Sequence, residues 1–165
     1  MRALLIPLLV LVAACSTRPP EDNALRQILR VTDAIYIGND RMKLTTHKPF
    51  LLGPEGLETA LLARAAYEAN ERGARSFAIV RADYHQRLAL FGESDLLPLG
   101  RTWIGTYEDL LAHRERETER SGKVTSISWI VVMQPADEQP LRRTFDSEET
   151  YHALLDAWII ERKIF

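Results

Sequence analysis

Apolar residues recur at helical spacing in several parts of the chain, most clearly between residues 54 and 72. Pro54 suits a first helical turn, Glu55 and Glu58 suit the positive amino end of a helix, and Gly73 suits the position after its carboxyl end. The spacing predicts a helix over residues 54–72, and the small residues in its apolar stripe allow it to lie close to a sheet. The stripe consists of Leu57, Leu61, Leu62, Ala65, Ala66 and Ala69.

Three further stretches carry helix signals. Residues 24–31 have apolar side chains at helical spacing, but the stretch is too short for spacing alone to decide. Thr106 begins a helix in which Asp109 completes a weak capping box, and Gly122 ends it. A last helix begins at residues 146–147, and its inward-packing stripe is Tyr151, Leu154, Leu155, Trp158 and Ile159.

Alternating apolar and polar residues predict the strands. Residues 33–47 indicate a hairpin whose turn is Gly38-Asn39-Asp40, and residues 75–84 indicate a strand. Residues 123–135 indicate a second strong strand, and the unbroken apolar run Trp129–Met133 is typical of a central strand covered on both faces. The pattern predicts an α+β fold with a single small domain, in which a mixed or antiparallel sheet packs with two or three helices.

The order of hairpin, helix and strand is that of a crossover, which is right-handed if its strands are parallel. Residues 84–105 indicate short strands or loops. A chain of 165 residues, 46% of them hydrophobic, fits one globular domain. The net charge of −2 argues against a nucleic-acid partner and against electrostatic attraction to anionic lipid.

The amino terminus has the pattern of an export signal. Arg2 supplies a positive charge, and residues 3–11 form an apolar run of nine residues. As a helix this run would span about 14 Å, whereas a bilayer core needs about 30 Å, so a permanent transmembrane helix is not expected. The following Val12-Ala13-Ala14-Cys15 resembles the lipobox of bacterial lipoprotein precursors.

This resemblance implies a signal peptide over residues 1–14, cleavage before Cys15, and lipid on the Cys15 thiol. One acyl chain binds a membrane only reversibly, whereas two or three hold stably. Residues 15–23 would then be the lipidated amino terminus and a semi-extended tether, and residues 24–165 the domain. Ser16 after the cysteine favours the outer membrane, facing the periplasm, over the inner one. An ordinary signal peptide with a chance cysteine is the alternative.

A second stretch, residues 61–80, resembles the helix-then-strand core of a group of uncharacterised bacterial lipoproteins. In that group a Leu-Leu-x-Arg-Ala-Ala helix ends in glycine and a phenylalanine-containing strand follows. The matching residues are Leu61, Leu62, Arg64, Ala65, Ala66, Gly73 and Phe77. The group carries no established activity, so this resemblance implies no site residues.

One polar cluster could carry catalysis. Arg81, Asp83 and His85 alternate along a predicted strand and project to one face, where Asp83 could orient the His85 imidazole as a general base. The alternative is a solvated strand face on which Asp83 pairs with Arg81. The four histidines lack metal-binding spacing, and neither a phosphate-binding loop nor a serine-hydrolase elbow is present, so no metal and no cofactor are predicted.

Trp103 lies between glycines in a loop-like stretch, and it is the residue we expect to contact a partner protein or a glycan. The sequence leaves three functions open. The first is a lipid-anchored, non-catalytic binding or scaffolding module of the cell envelope. The second is a membrane-tethered hydrolase that uses Asp83 and His85, and the third is a binder of a small apolar ligand between sheet and helices.

Overall fold

The computed structural model describes residues 20–46, 53–85, 102–121, 124, 126–135, 137 and 142–162. These residues form an α+β fold, as predicted. In chain order, its elements are α1 (Pro20–Val31), β1 (Thr32–Gly38), β2 (Arg41–Thr46), α2 (Pro54–Glu71), β3 (Ala74–His85), α3 (Tyr107–Ser121), β4 (Ser126–Pro135), β5 (Phe145–Asp146) and α4 (Ser147–Arg162).

The five strands form one antiparallel sheet in the order β1-β2-β4-β3-β5. The predicted central strand is confirmed, because β4 lies between β2 and β3. Since both neighbours run antiparallel to β4, β2 and β3 are parallel to each other, and α2 connects them as the predicted crossover. The order of the strands therefore depends on β4, which is distant in sequence from β2.

The predicted hairpin is confirmed by the pairing of β1 with β2. Gly38, Asn39 and Asp40 have φ values of 85°, 51° and 54°, a left-handed conformation that glycine, asparagine and aspartate tolerate best. The register shifts between Tyr36 and Gly38, which marks a bulge just before the turn.

Helix α2 is buried on two sides. Its predicted apolar stripe faces the sheet, while Ala60 and Ala63 face away from the sheet and pack against α1 and α4. Gly73 follows the helix with a φ of 68°, as its predicted position requires. The sheet contributes Met42, Leu44, Phe77, Ile79, Ile127, Trp129 and Val131 to the same core.

The predicted starts of the last two helices are confirmed by their caps. The backbone N–H of Asp109 donates to the Thr106 hydroxyl at 3.2 Å, and that hydroxyl donates to the Asp109 carboxylate at 2.8 Å. The N–H of Glu149 donates to the Asp146 carboxylate at 3.0 Å. Each cap satisfies a backbone donor that the first helical turn leaves without an internal partner.

Helix α1 is longer than the short stretch of helical spacing indicates. It begins at Pro20, so residues 20–23, predicted as part of the tether, form its first turn. Ala24 and Ile28 are buried against α2 and α4, and this packing, rather than the spacing, accounts for its stability. The helix is thus part of the folded body.

The segment around Ile104 extends the far edge of the sheet. Ile104 and Ile79 exchange two backbone hydrogen bonds of 2.9 Å, beside the short strand β5. Gly105 lies so close to the carbonyl group of Arg143 that a Cβ atom at position 105 would overlap it. The missing side chain of Gly105 therefore allows the two segments to meet.

Some predictions fall outside the described residues. These include the export signal and Cys15, most of the stretch 84–105, and the inward packing of Trp158 and Ile159, whose side chains are not described. Within the described part of the chain, none of the helices combines the length and the apolar character needed to cross a membrane.

Candidate functional site

The three alternating residues of β3 share one face, as predicted, and two of them form an ion pair. The guanidinium of Arg81 lies 2.6 Å from the carboxylate of Asp83. Both side chains are partly exposed, on the face opposite Tyr84 and the helices. Asp83 lies beside Ser128 of β4, and His85 lies beside Ser126. The pairing of Asp83 with Arg81 is thus the arrangement expected of a solvated strand face.

Trp103 lies in the segment that pairs with β3 through Ile104, apart from Asp83 and His85. Its indole N–H donates to the backbone carbonyl of Arg143 at 2.8 Å, and the guanidinium of Arg142 lies 5.5 Å from the ring centre. The adjoining Ile104 pairs with Ile79, four residues before Asp83 along the strand. The structure therefore attaches Trp103 to residues 142–143 and gives it a half-buried ring.

A buried carboxylate lies on the helical side of β3, where α2, β3 and α3 meet. Glu58 of α2 is 4% exposed. The Tyr84 hydroxyl donates to one of its oxygens at 2.5 Å, and Arg114 of α3 donates to the other at 3.1 Å. Arg114 also lies 3.4 Å from the exposed carboxylate of Glu55. We call Glu58, Tyr84 and Arg114 the buried triad.

Burial governs the acid–base behaviour of the buried triad. It raises the pKa of Glu58, although the hydrogen bond from Tyr84 and the charge of Arg114 act in the opposite direction. Burial and the neighbouring Glu58 carboxylate raise the pKa of Tyr84, so the phenol stays protonated and remains a donor. His113 completes the surroundings, with its Nε2 atom 3.2 Å from the carbonyl oxygen of Ala82 and its ring 6.0 Å from that of Tyr84.

The sequence assigns Glu58 only to the positive end of a helix, yet the spacing around it carries a further signal. Positions 58, 61, 62 and 65 fall on one helical face, and the other three are buried apolar residues. An acid within an apolar stripe needs a partner, because an isolated buried charge is very costly. The identity of that partner depends on α3, which the spacing in α2 cannot reveal.

The edge strand β1 carries the most exposed apolar surface among the described strands. Ile35 and Tyr36 are each 50% exposed and Ile37 is 39% exposed. The ring of Tyr36 lies 5.5 Å from the guanidinium of Arg72. This ring also borders an open groove of about 300 Å³, whose other walls include Asp40, Gly73, Met133 and Pro135. The groove lies where the hairpin turn meets the carboxyl end of α2 and the start of β3, and its Met133 belongs to the core between sheet and helices.

The described residues contain no candidate metal cluster, and no family model matches the chain. Among the described residues, no three histidine, cysteine or acidic side chains lie close enough to hold a metal ion. A scan against protein-family models and searches of curated proteins and of solved structures found no significant match.

Proposed function

We propose that this protein is a lipid-anchored, non-catalytic binding or scaffolding module of the cell envelope, held by acyl chains on Cys15. The pattern of a short basic start, an apolar run and Val12-Ala13-Ala14-Cys15 supports the anchor. Ser16 supports the outer membrane, facing the periplasm, as its location. The partner is an envelope protein or a glycan rather than a nucleic acid.

The strongest support for this proposal is the position at which α1 begins. Five residue steps separate Cys15 from Pro20, where the packed helix begins. An extended chain of this length spans at most about 18 Å. A domain joined to acyl chains by so short a spacer stays against the bilayer, where it can bind a neighbouring envelope component.

The surface of the domain supports binding rather than catalysis. The exposed apolar strand β1 offers both side chains and an edge to a partner. Asp83, which the hydrolase hypothesis needs as the group that orients His85, is engaged by Arg81. We therefore place the function at the edge of the sheet.

Metabolic labelling with a fatty-acid analogue tests the anchor. The native chain should incorporate the label and fractionate with outer membranes, whereas Cys15→Ala should do neither. Thr17→Ala is a matched control, because it alters a nearby residue and leaves both the thiol and Ser16 in place. A mature chain that begins elsewhere than at Cys15, or that carries no acyl mass there, would refute the proposal.

The short spacer has its own test. A fluorophore on Asp22→Cys, in the exposed first turn of α1, should be strongly quenched by lipids that carry a headgroup quencher. Insertion of twelve Gly and Ser residues between Pro19 and Pro20 should reduce that quenching, because the domain can then leave the surface. Equal quenching in both chains would show that the spacer does not hold the domain close.

A further inference from the structure

The outer edge of β1 has the properties of a pairing surface. On one side β1 pairs with β2, and among the described residues no strand adjoins its other side. Its sequence, TDAIYIG, contains neither lysine nor proline, residues that commonly block pairing at sheet edges. We propose that β1 pairs antiparallel with β1 of a second copy of this chain, so that two sheets become one.

The backbone restricts the register of such a pair. Alternate residues of an edge strand direct their N–H and C=O groups outward, so two identical antiparallel strands match only in registers that place some residue opposite itself. A pair centred on Ile35 uses the regular part of β1, before the bulge. Ile35 then lies opposite the partner's Ile35. The small side chain of Ala34 lies opposite the large side chain of the partner's Tyr36.

The symmetry of this dimer suits two anchored chains. An antiparallel pair within a continuous sheet is related by a two-fold axis perpendicular to the sheet, so both copies present the same face on the same side. Helix α1 packs on α2 and α4, on the helical side of the sheet. Both amino termini therefore leave from one side and can reach one bilayer.

The area of the edge explains why the anchor matters. Each of the three exposed side chains of β1 contributes on the order of 100 Å², so a dimer buries roughly 600 Å² of side-chain surface. A stable interface needs about 1,200 Å² or more. The pair is therefore weak in dilute solution and forms where the proposed lipid anchor, on which this part of the inference rests, concentrates the chains on a membrane.

Disulfide formation in Ile35→Cys tests the dimer in bacterial membranes. Facing residues of an antiparallel pair have Cα atoms about 4.5–5.5 Å apart, within the range of a disulfide. Under mild oxidation the full-length Ile35→Cys chain should give about tenfold more disulfide dimer than Tyr107→Cys, because β1 pairing holds its two sulfurs together. Tyr107 is a matched control, since it is 54% exposed and lies on α3.

A second substitution separates pairing from random collision. Ile37→Asp within the Ile35→Cys chain should remove most of the dimer, because in this register residue 37 faces the partner's Asp33 and the two carboxylates repel each other. Tyr107→Asp in the same background should leave the dimer unchanged. Circular dichroism of each purified chain confirms that it is folded. Dimer that persists with Ile37→Asp would contradict the proposed pairing.

Fatty-acid labelling of the same samples separates the two proposals. Labelled Ile35→Cys chain that yields no excess dimer overturns the pairing and leaves the anchor intact. Unlabelled chain overturns the anchor, and the pairing is then decided on purified protein at high concentration. There, mass spectrometry must find position 35 linked to position 35, and linkage elsewhere overturns the dimer.

Discussion

Tyr84 and Glu58 are joined by a hydrogen bond of 2.5 Å across the interface of β3 and α2, where both side chains are buried. This bond gives the buried carboxylate a neutral donor, while Arg114 supplies a cation from α3. Three elements that are distant in sequence therefore meet at one acidic side chain. The triad is a structural connection, and its energetics can be measured.

Removal of the hydroxyl group should weaken the domain. Tyr84→Phe keeps the ring but leaves one oxygen of Glu58 without its donor, so the free energy of unfolding should fall by roughly 1.5–3 kcal/mol. Urea unfolding measures the change. Tyr107→Phe, at an exposed position, should change stability by less than about 0.5 kcal/mol. Equal effects of the two substitutions would mean that the bond to Glu58 contributes no stability.

Glu58 should make stability fall as pH rises. Its pKa is raised in the folded protein above the ordinary value of 4.5, so the native state binds the proton more tightly than the unfolded chain. The stabilisation is complete below pH 4.5 and is lost as pH rises through the folded pKa. Over that range the unfolding free energy of the native chain should fall, as pH rises, relative to that of Glu58→Gln. A difference that moves the other way would show a lowered pKa.

Removal of the Arg114 cation should lower the free energy of unfolding most at neutral pH. Arg114→Met leaves the ionised Glu58 buried without its charge partner, a change that typically costs about 3–5 kcal/mol. The loss should be smaller near pH 4.5, where protonation removes the carboxylate charge. Arg116→Met, two residues along the same helix and exposed, is the control and should have little effect. An equal loss at both pH values would assign the role of Arg114 to packing.

Gly105 should tolerate no side chain. Gly105→Ala places a Cβ atom on the Arg143 carbonyl, so the segments around residues 105 and 143 must separate. The free energy of unfolding should therefore fall by about 3 kcal/mol or more. Trp103 fluorescence should shift as its bond to Arg143 breaks. Gly53→Ala, where the added atom meets open space, should cost less than about 1 kcal/mol. Similar losses in both variants would show that the close approach is not required.

The local elements of this fold could be predicted well from the sequence. Capping residues and turn residues act on their own neighbours, so Thr106, Asp146 and Gly38-Asn39-Asp40 correctly marked two helix starts and a hairpin. The apolar run Trp129–Met133 correctly indicated a central strand, since β4 pairs with β2 on one side and with β3 on the other.

Contacts between segments that are distant in sequence could not be predicted in the same way. The pattern allowed either a mixed or an antiparallel sheet, because the choice depends on the position that β4 takes between other strands and not on the residues of β4. The buried triad was missed for the same reason. Asp83 and His85 are near neighbours in sequence, whereas Glu58 and Arg114 lie 56 residues apart and meet only in the folded chain.

The late position of β4 has a consequence for a chain that is made from its amino end. The hydroxyl of Thr46, at the end of β2, accepts a hydrogen bond of 2.9 Å from the N–H of Ile127, 81 residues further on. Until residues 126–135 emerge, β2 and β3 have no common neighbour, and each presents an edge of unpaired backbone N–H and C=O groups. Nascent or truncated chains that stop short of β4 should therefore depend on chaperones, while the completed chain closes its sheet in a single cooperative event.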